Sequence, residues 1–175
     1  SINIKSIISL GGISPRIFLR DYWQKKPLLI RCAIPEFQGF LTRDELINLA
    51  GQEEAQSRLI SQKNDHWIVK NGPLISQDFP GKKESWTLLV HDVNHFYLAA
   101  RNLLHKFRFI PYARLDDLMI SCASKGGGIG PHIDSYDVFL LQGQGAKRWQ
   151  ISSQQDTRLV EDIPLKILNK FVPEQ

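Results

Sequence analysis

The stretch Gly126–Trp149, GGGIGPHIDSYDVFLLQGQGAKRW, carries the strongest fold signal in this 175-residue chain. Three glycines lead to Pro131. His132 and Asp134 follow, two residues apart, at the head of an apolar run with the character of a strand. Aspartate is disfavoured in strands, so its presence there asks for a chemical reason. Strand side chains alternate between faces, which puts His132, Asp134 and Tyr136 on the same one. An imidazole and a carboxylate one pleat apart can converge on a single cation. They are two of the three groups of the 2-His-1-carboxylate arrangement that holds non-haem Fe(II) and leaves positions open for substrate and oxygen. The pattern H-x-D also arises by chance, as a surface or hydrogen-bonded pair, so the neighbourhood has to decide.

Gly143-Gln144 suits a type II′ turn, the connection of a two-residue β-hairpin. That turn sets Gln142 opposite Gly145, Leu140 opposite Lys147, Val138 opposite Trp149, Tyr136 opposite Ile151 and Asp134 opposite Ser153. Lys147 then shares the face of His132 and Asp134, among apolar neighbours. A one-residue slip would reverse every assignment. A lysine on an inward apolar face is costly unless an anion pairs with it. A bound small-molecule carboxylate meets that need; the alternative is that Lys147 snorkels to water or meets a carboxylate elsewhere in the chain.

Bulk properties narrow the class. The net charge is +4 and 42% of residues are hydrophobic, ordinary for a globular domain with a real core. No apolar run reaches the length of a membrane span, and SINIKSIISLGG lacks the features of a signal peptide. Cys32 and Cys122 form no metal-type spacing, as expected of a reduced, cytoplasmic chain. Met119 is the only methionine, so residue 1 is not a start codon.

Upstream, Ser14-Pro15 reads as an N-cap with proline at the first helical position, opening a helix through Trp23. Pro27–Arg31, PLLIR, is a short strand candidate. Thr42-Arg43-Asp44-Glu45 has capping-box spacing and Gly51 suits the helix end. SRLISQ, HWIVKNGP and GPLIS read as strands, with turns at Asn64-Asp65 and Asn71-Gly72. Apolar residues recur at helical spacing from Trp86 to Leu104, which predicts one long helix over Ser85–Phe107 with His91 and His95 on its wet side. LDDLMISCAS, HIDSYDVFLLQ and AKRWQIS read as strands. The Gly126–Gly128 run lacks the later Lys-Ser/Thr of a phosphate loop. KKP and GKKE read as solvated basic patches, with no direct nucleic-acid binding expected. The fold class expected is α+β: a helical and mixed N-terminal region over residues 1–115, then the first strands of a β core over 116–175.

DDLMIS, GGGIGPHIDSYDVFLLQG, KRWQI, FLRDYWQKKPLLIR and WTLLVHDVNHF together resemble the bacterial ribosomal oxygenases, which are JmjC-type, cupin-like 2-oxoglutarate oxygenases. The resemblance runs from about Phe18 to Ile151. It implies a double-stranded β-helix (jelly roll), here incomplete at the C-terminus. It implies Fe(II) held by His132 and Asp134, with 2-oxoglutarate and O2 as co-substrates. Lys147 takes the place of the basic residue that grips the distal carboxylate. Arginine can fill that position, and lysine keeps the charge without the planar fork. Ser121 matches a position that hydrogen-bonds the co-substrate, and reads equally as an ordinary strand serine. The family's third ligand is a histidine on a later strand, and no histidine follows His132. The region through which relatives dimerise is not in this chain. The substrate implied is an arginine of a large-subunit ribosomal protein. The alternatives are a non-catalytic cupin-like binding module and a hydroxylase of another target, such as histidine.

Overall fold

The computed structural model describes residues 10–174. The chain folds into two units built from interleaved segments. The first takes the chain up to Phe40, Val93–Leu118 and Phe139–Gly145. The second takes Leu41–Asp92, Met119–Val138 and the chain from Ala146 onward.

The first unit is held by aromatic packing. Helix α1 (Pro15–Asp21) opens as expected: the Ser14 hydroxyl accepts from the Ile17 amide, and Pro15 occupies the first turn. Phe18 is buried with Leu10, Leu103 and Phe107, and Phe109 and Phe139 close around them. The rings of Phe107 and Phe139 lie 4.8 Å apart, and Trp23 stacks on Phe139 at 5.7 Å. Pro27–Ile30 forms no ladder, contrary to the strand expected there. Leu28 and Ile30 pack against the aromatic cluster while Leu29 is exposed, so the segment alternates like a strand without a partner.

The second unit is a four-stranded antiparallel sheet with helix α2 (Arg43–Ala50) against it. The strands are β1 (Ser57–Lys63), β2 (His66–Asn71), β3 (Ser85–Val90) and β4 (Ile120–Ala123), in the order β2-β1-β3-β4. The Thr42–Glu45 capping box forms in full, and Gly51 is the C-cap. Leu46, Leu49 and Ala50 bury one side of α2. Asn64 and Asp65 both have positive φ, as a tight turn joining Lys63 to His66 requires.

The long helix over Ser85–Phe107 does not exist. Its first part is β3, then a 3₁₀ turn at Val93–His95, and only Leu98–His105 is helical, as α3. β3 is central and its residues Trp86–Val90 are all buried, so it shows no alternation, and a continuous apolar run fits helix and strand equally well. Asp92, at φ 54°, then breaks the path, since a right-handed helix cannot pass through that conformation. His91 and His95 are therefore not one turn apart on a helix.

Other expected strands shorten or vanish where their backbone groups are used elsewhere. The GPLIS segment is not a strand: the Leu74 amide donates to the Ala50 carbonyl at the end of α2, and a 3₁₀ turn follows at Ser76–Asp78. In LDDLMISCAS the ladder starts only at Ile120, because Leu118 bonds through its amide to the Asn94 side chain and through its carbonyl to the Val93 amide. The hairpin expected around Gly143-Gln144 also lacks a ladder. Its tip, Phe139–Gly145, belongs to the first unit, where Phe139 and Leu141 join the aromatic cluster. Among the described residues, no helix is long and apolar enough to cross a membrane.

Leu88 is fully buried at the middle of β3. Leu88→Ala should lower stability by about 2–5 kcal/mol through lost burial and a residual cavity, seen as a lower urea midpoint with unchanged slope.

Candidate functional site

The sheet and the chain's last stretch set the backbone ahead of His132. Gly130 sits at φ 76°, a conformation that glycine tolerates and other residues adopt at a cost. A Cβ there would fall 2.5 Å from Cδ1 of Ile167 and 3.1 Å from the Trp67 ring, so the backbone is pressed against both side chains. The Leu168 amide donates to the Pro131 carbonyl at 2.8 Å. The short pairing of Leu159 with Leu168 holds that part of the tail in turn. Nothing in the sequence marked Trp67, Ile167 or Leu168 as supports, because their role depends on approach from distant segments.

His132 Nδ1 lies 2.9 Å from the Gly130 carbonyl oxygen. A carbonyl only accepts, so Nδ1 carries the proton and donates, leaving the Nε2 lone pair in the neutral ring. Nε2 is 3.5 Å from Oδ1 of Asp134. Two lone pairs at that separation repel unless a cation lies with them. A proton satisfies the pair as a hydrogen-bonded ion pair. The donor set, one imidazole and one carboxylate oxygen, equally fits a divalent first-row metal. A tether on the far ring nitrogen is how metal-binding histidines are commonly oriented. His132 is about one quarter exposed and Asp134 about one half, so a small ion or molecule has access. Among the described residues, no third His, Cys, Asp or Glu completes a metal-holding group.

Lys147 is half-buried, and burial lowers its pKa from the ordinary lysine value. Its ammonium sits 4.9 Å above the Trp149 ring, which places the two residues on one side of the chain. Among the described residues it forms no ion pair. The face expected to be inward is open here: Tyr136, Val138, Leu140, Trp149 and Ile151 all carry substantial exposure. Ser121 lies on β4 opposite Leu89 and is exposed. The structure thus brings His132 and Asp134 together. It sets Lys147 beside Trp149 and Ser121 on the sheet, with no direct bond linking either of them to the pair.

Residues 102–175 match the JmjC domain model. Over 140 residues the chain is 46% identical to a probable ribosomal oxygenase of Haemophilus influenzae, covering 79% of this chain and 35% of that protein. It is 42% identical over 137 residues to the ribosomal protein uL16 3-hydroxylase of Escherichia coli, covering 78% of this chain and 36% of that one. Among solved structures it is similar to YcfD, a ribosomal oxygenase from Escherichia coli, in complex with cobalt and 2-oxoglutarate. That match has a TM-score of 0.67 at 40% identity, over 71% of this chain and 34% of that one. The chain therefore spans about a third of the length of these relatives.

If the bend at Gly130 depends on glycine, Gly130→Ala should cost about 1–3 kcal/mol for the forced left-handed residue alone, measured by chemical denaturation. The mixed helix and antiparallel sheet, the JmjC match over residues 102–175 and the sequence identity together show a chain of JmjC-type fold that is similar to the ribosomal oxygenases over about a third of their length.

Proposed function

We propose that this chain supplies part of the active centre of an Fe(II)- and 2-oxoglutarate-dependent oxygenase. The enzyme would hydroxylate a side chain, arginine in our reading, of a large-subunit ribosomal protein in the cytoplasm. The observation that carries this reading is the His132–Asp134 pair, 3.5 Å apart, with Nδ1 of the ring tethered to Gly130. The uL16 3-hydroxylase name of one relative and the cobalt and 2-oxoglutarate in a solved structure of a similar protein support the same chemistry.

In this reading His132 binds metal through Nε2 and Asp134 through Oδ1. When bound, the iron and 2-oxoglutarate supply the activation of oxygen. The protein's part is to hold and orient. The Gly130 carbonyl keeps the Nδ1 proton in place, so Nε2 cannot be the protonated nitrogen of the neutral ring. Lys147, without a carboxylate partner among the described residues, grips the far carboxylate of 2-oxoglutarate. Lysine serves here as a point charge, and the Trp149 ring beneath it limits where the ammonium can travel. Ser121 offers a hydroxyl to the same ligand.

A second reading, a cupin-like module that binds without turnover, draws on the absence of a third ligand among the described residues. The two separate on one assay. Iron-dependent conversion of 2-oxoglutarate to succinate by the protein supports the oxygenase; binding without succinate supports the module. Mass spectrometry of ribosomal proteins from cells with and without the gene then finds the added oxygen, and distinguishes an arginine from a histidine target.

His132→Ala and Asp134→Ala should each abolish iron-dependent succinate formation. Lys147→Ala should weaken 2-oxoglutarate binding tenfold or more, consistent with the roughly 1.5–3 kcal/mol carried by hydrogen bonds to charged groups. The pH dependence has a definite sign. The gripping form is the ammonium, and burial lowers its pKa from 10.5. Affinity should therefore be full while Lys147 is protonated and fall as pH rises through that lowered value, at lower pH than an exposed lysine would show. Calorimetric titration of 2-oxoglutarate across alkaline pH reads this directly.

A further inference from the structure

The second unit carries a separate cleft of about 470 Å³ lined by Arg43, Lys82, Lys83, Trp86 and Lys125, with Glu84 as its one carboxylate. These cations come from three distant parts of the sequence, and each is positioned by Trp86 or the chain next to it. The Glu84 amide donates to the Gly81 carbonyl at 3.1 Å, so Lys82 and Lys83 occupy the corners of a turn that runs directly into β3. The Gly127 amide donates to the Ser124 carbonyl at 2.9 Å, with Gly126 at φ 76°. That is the pattern of a type II turn with Lys125 at its first corner. Ser124 pins this second turn to β3: its amide donates to the Trp86 carbonyl, and its hydroxyl accepts from the Trp86 amide. The Arg43 guanidinium lies 4.8 Å over the Trp86 ring.

The charge is not balanced locally. Glu84 is already engaged by Lys63 at 3.2 Å. Lys82, Lys83 and Lys125 are exposed and make no ion pair among the described residues. Gathering four cations about one cleft is unfavourable until an anion joins them. Trp86, the large apolar side chain of the lining, is buried, so the cleft lacks the apolar anchor that protein interfaces usually centre on. Lysines act as point charges towards phosphate, and an arginine held over a ring presents its fork of donors from that position.

We infer that this cleft binds the phosphodiester backbone of RNA, through Lys82, Lys83, Lys125 and Arg43, independently of sequence. Backbone contacts of this kind position a protein without reading bases. The site is independent of the oxygenase reading, and its assay needs neither iron nor 2-oxoglutarate.

The test is fluorescence anisotropy of a labelled single-stranded oligouridylate with the protein across a salt series. The wild type should bind with salt-dependent affinity. The triple variant Lys82→Gln, Lys83→Gln, Lys125→Gln should bind at least tenfold more weakly at low salt. Its slope of log K against log salt should shrink by about 2, since each lost phosphate contact on a single strand removes about 0.7. Circular dichroism confirms that the variant keeps its fold, and the single variant Lys125→Gln should show a smaller loss in the same direction. Lys25→Gln with Lys26→Gln, which removes two positive charges elsewhere, should leave binding within twofold. Unchanged affinity and slope in the triple variant would overturn the proposal. So would an equal loss in the Lys25/Lys26 variant. Polyglutamate binding as tightly as RNA would reassign the cleft to an acidic protein surface, and full displacement by inorganic phosphate at equal phosphate concentration would reassign it to the free ion.

Discussion

Strand β3 is buried along Trp86–Val90 and paired on both edges, with β1 on one side and β4 on the other. A strand in that position can satisfy its amides and carbonyls only if both neighbours hold their register. Its pairing ties residues near 60 to residues near 120, across most of the second unit's sequence. Helix α2 packs on the same strand, and the Ser57 hydroxyl, on β1, bonds the last carbonyl of that helix at 3.2 Å. The turn at Ser124–Gly127 is bonded to Trp86 at the strand's start. The stretch that leads to His132 therefore departs from a fixed point, and this is what gives a seemingly irregular segment a definite course.

The site itself uses short-range devices on that base. His132 is oriented by a carbonyl only two residues before it, an economy open to a chain that bends sharply at Gly130. The bend is pressed from outside by Trp67 and Ile167. Such a site positions one imidazole nitrogen and one carboxylate oxygen with few atoms, while leaving both accessible. A cation held there would stay accessible from solvent. Lys147 has no ion-pair partner among the described residues and burial disfavours its charge, so an anionic ligand there would relieve that cost.

Much of the local structure was legible in the sequence. The caps at Ser14 and Thr42, the turn at Asn64-Asp65 and the strands on either side of it depend on groups a few residues apart. The pairing of His132 with Asp134 was legible for the same reason. The same reasoning misread Ser85–Phe107, because a strand buried on both faces loses the alternation that would distinguish it from a helix. It also drew a hairpin across Gly143, where Phe139 gains more by joining an aromatic cluster than by extending a ladder.

By itself, the sequence determined which residues sit within reach of one another over two to four positions: the imidazole and the carboxylate, the capping pair, the turn at Asn64-Asp65. Those relations follow from backbone geometry and hold wherever the segment is placed. Only the tertiary structure decided that Trp86–Val90 is a central strand, that Trp67, Ile167 and Leu168 brace the approach to His132, and that Arg43, Lys82, Lys83 and Lys125 share a cleft. Each of these depends on contacts between segments tens of residues apart. Their selection rests on the summed burial and hydrogen bonding of the whole unit, which no local pattern encodes.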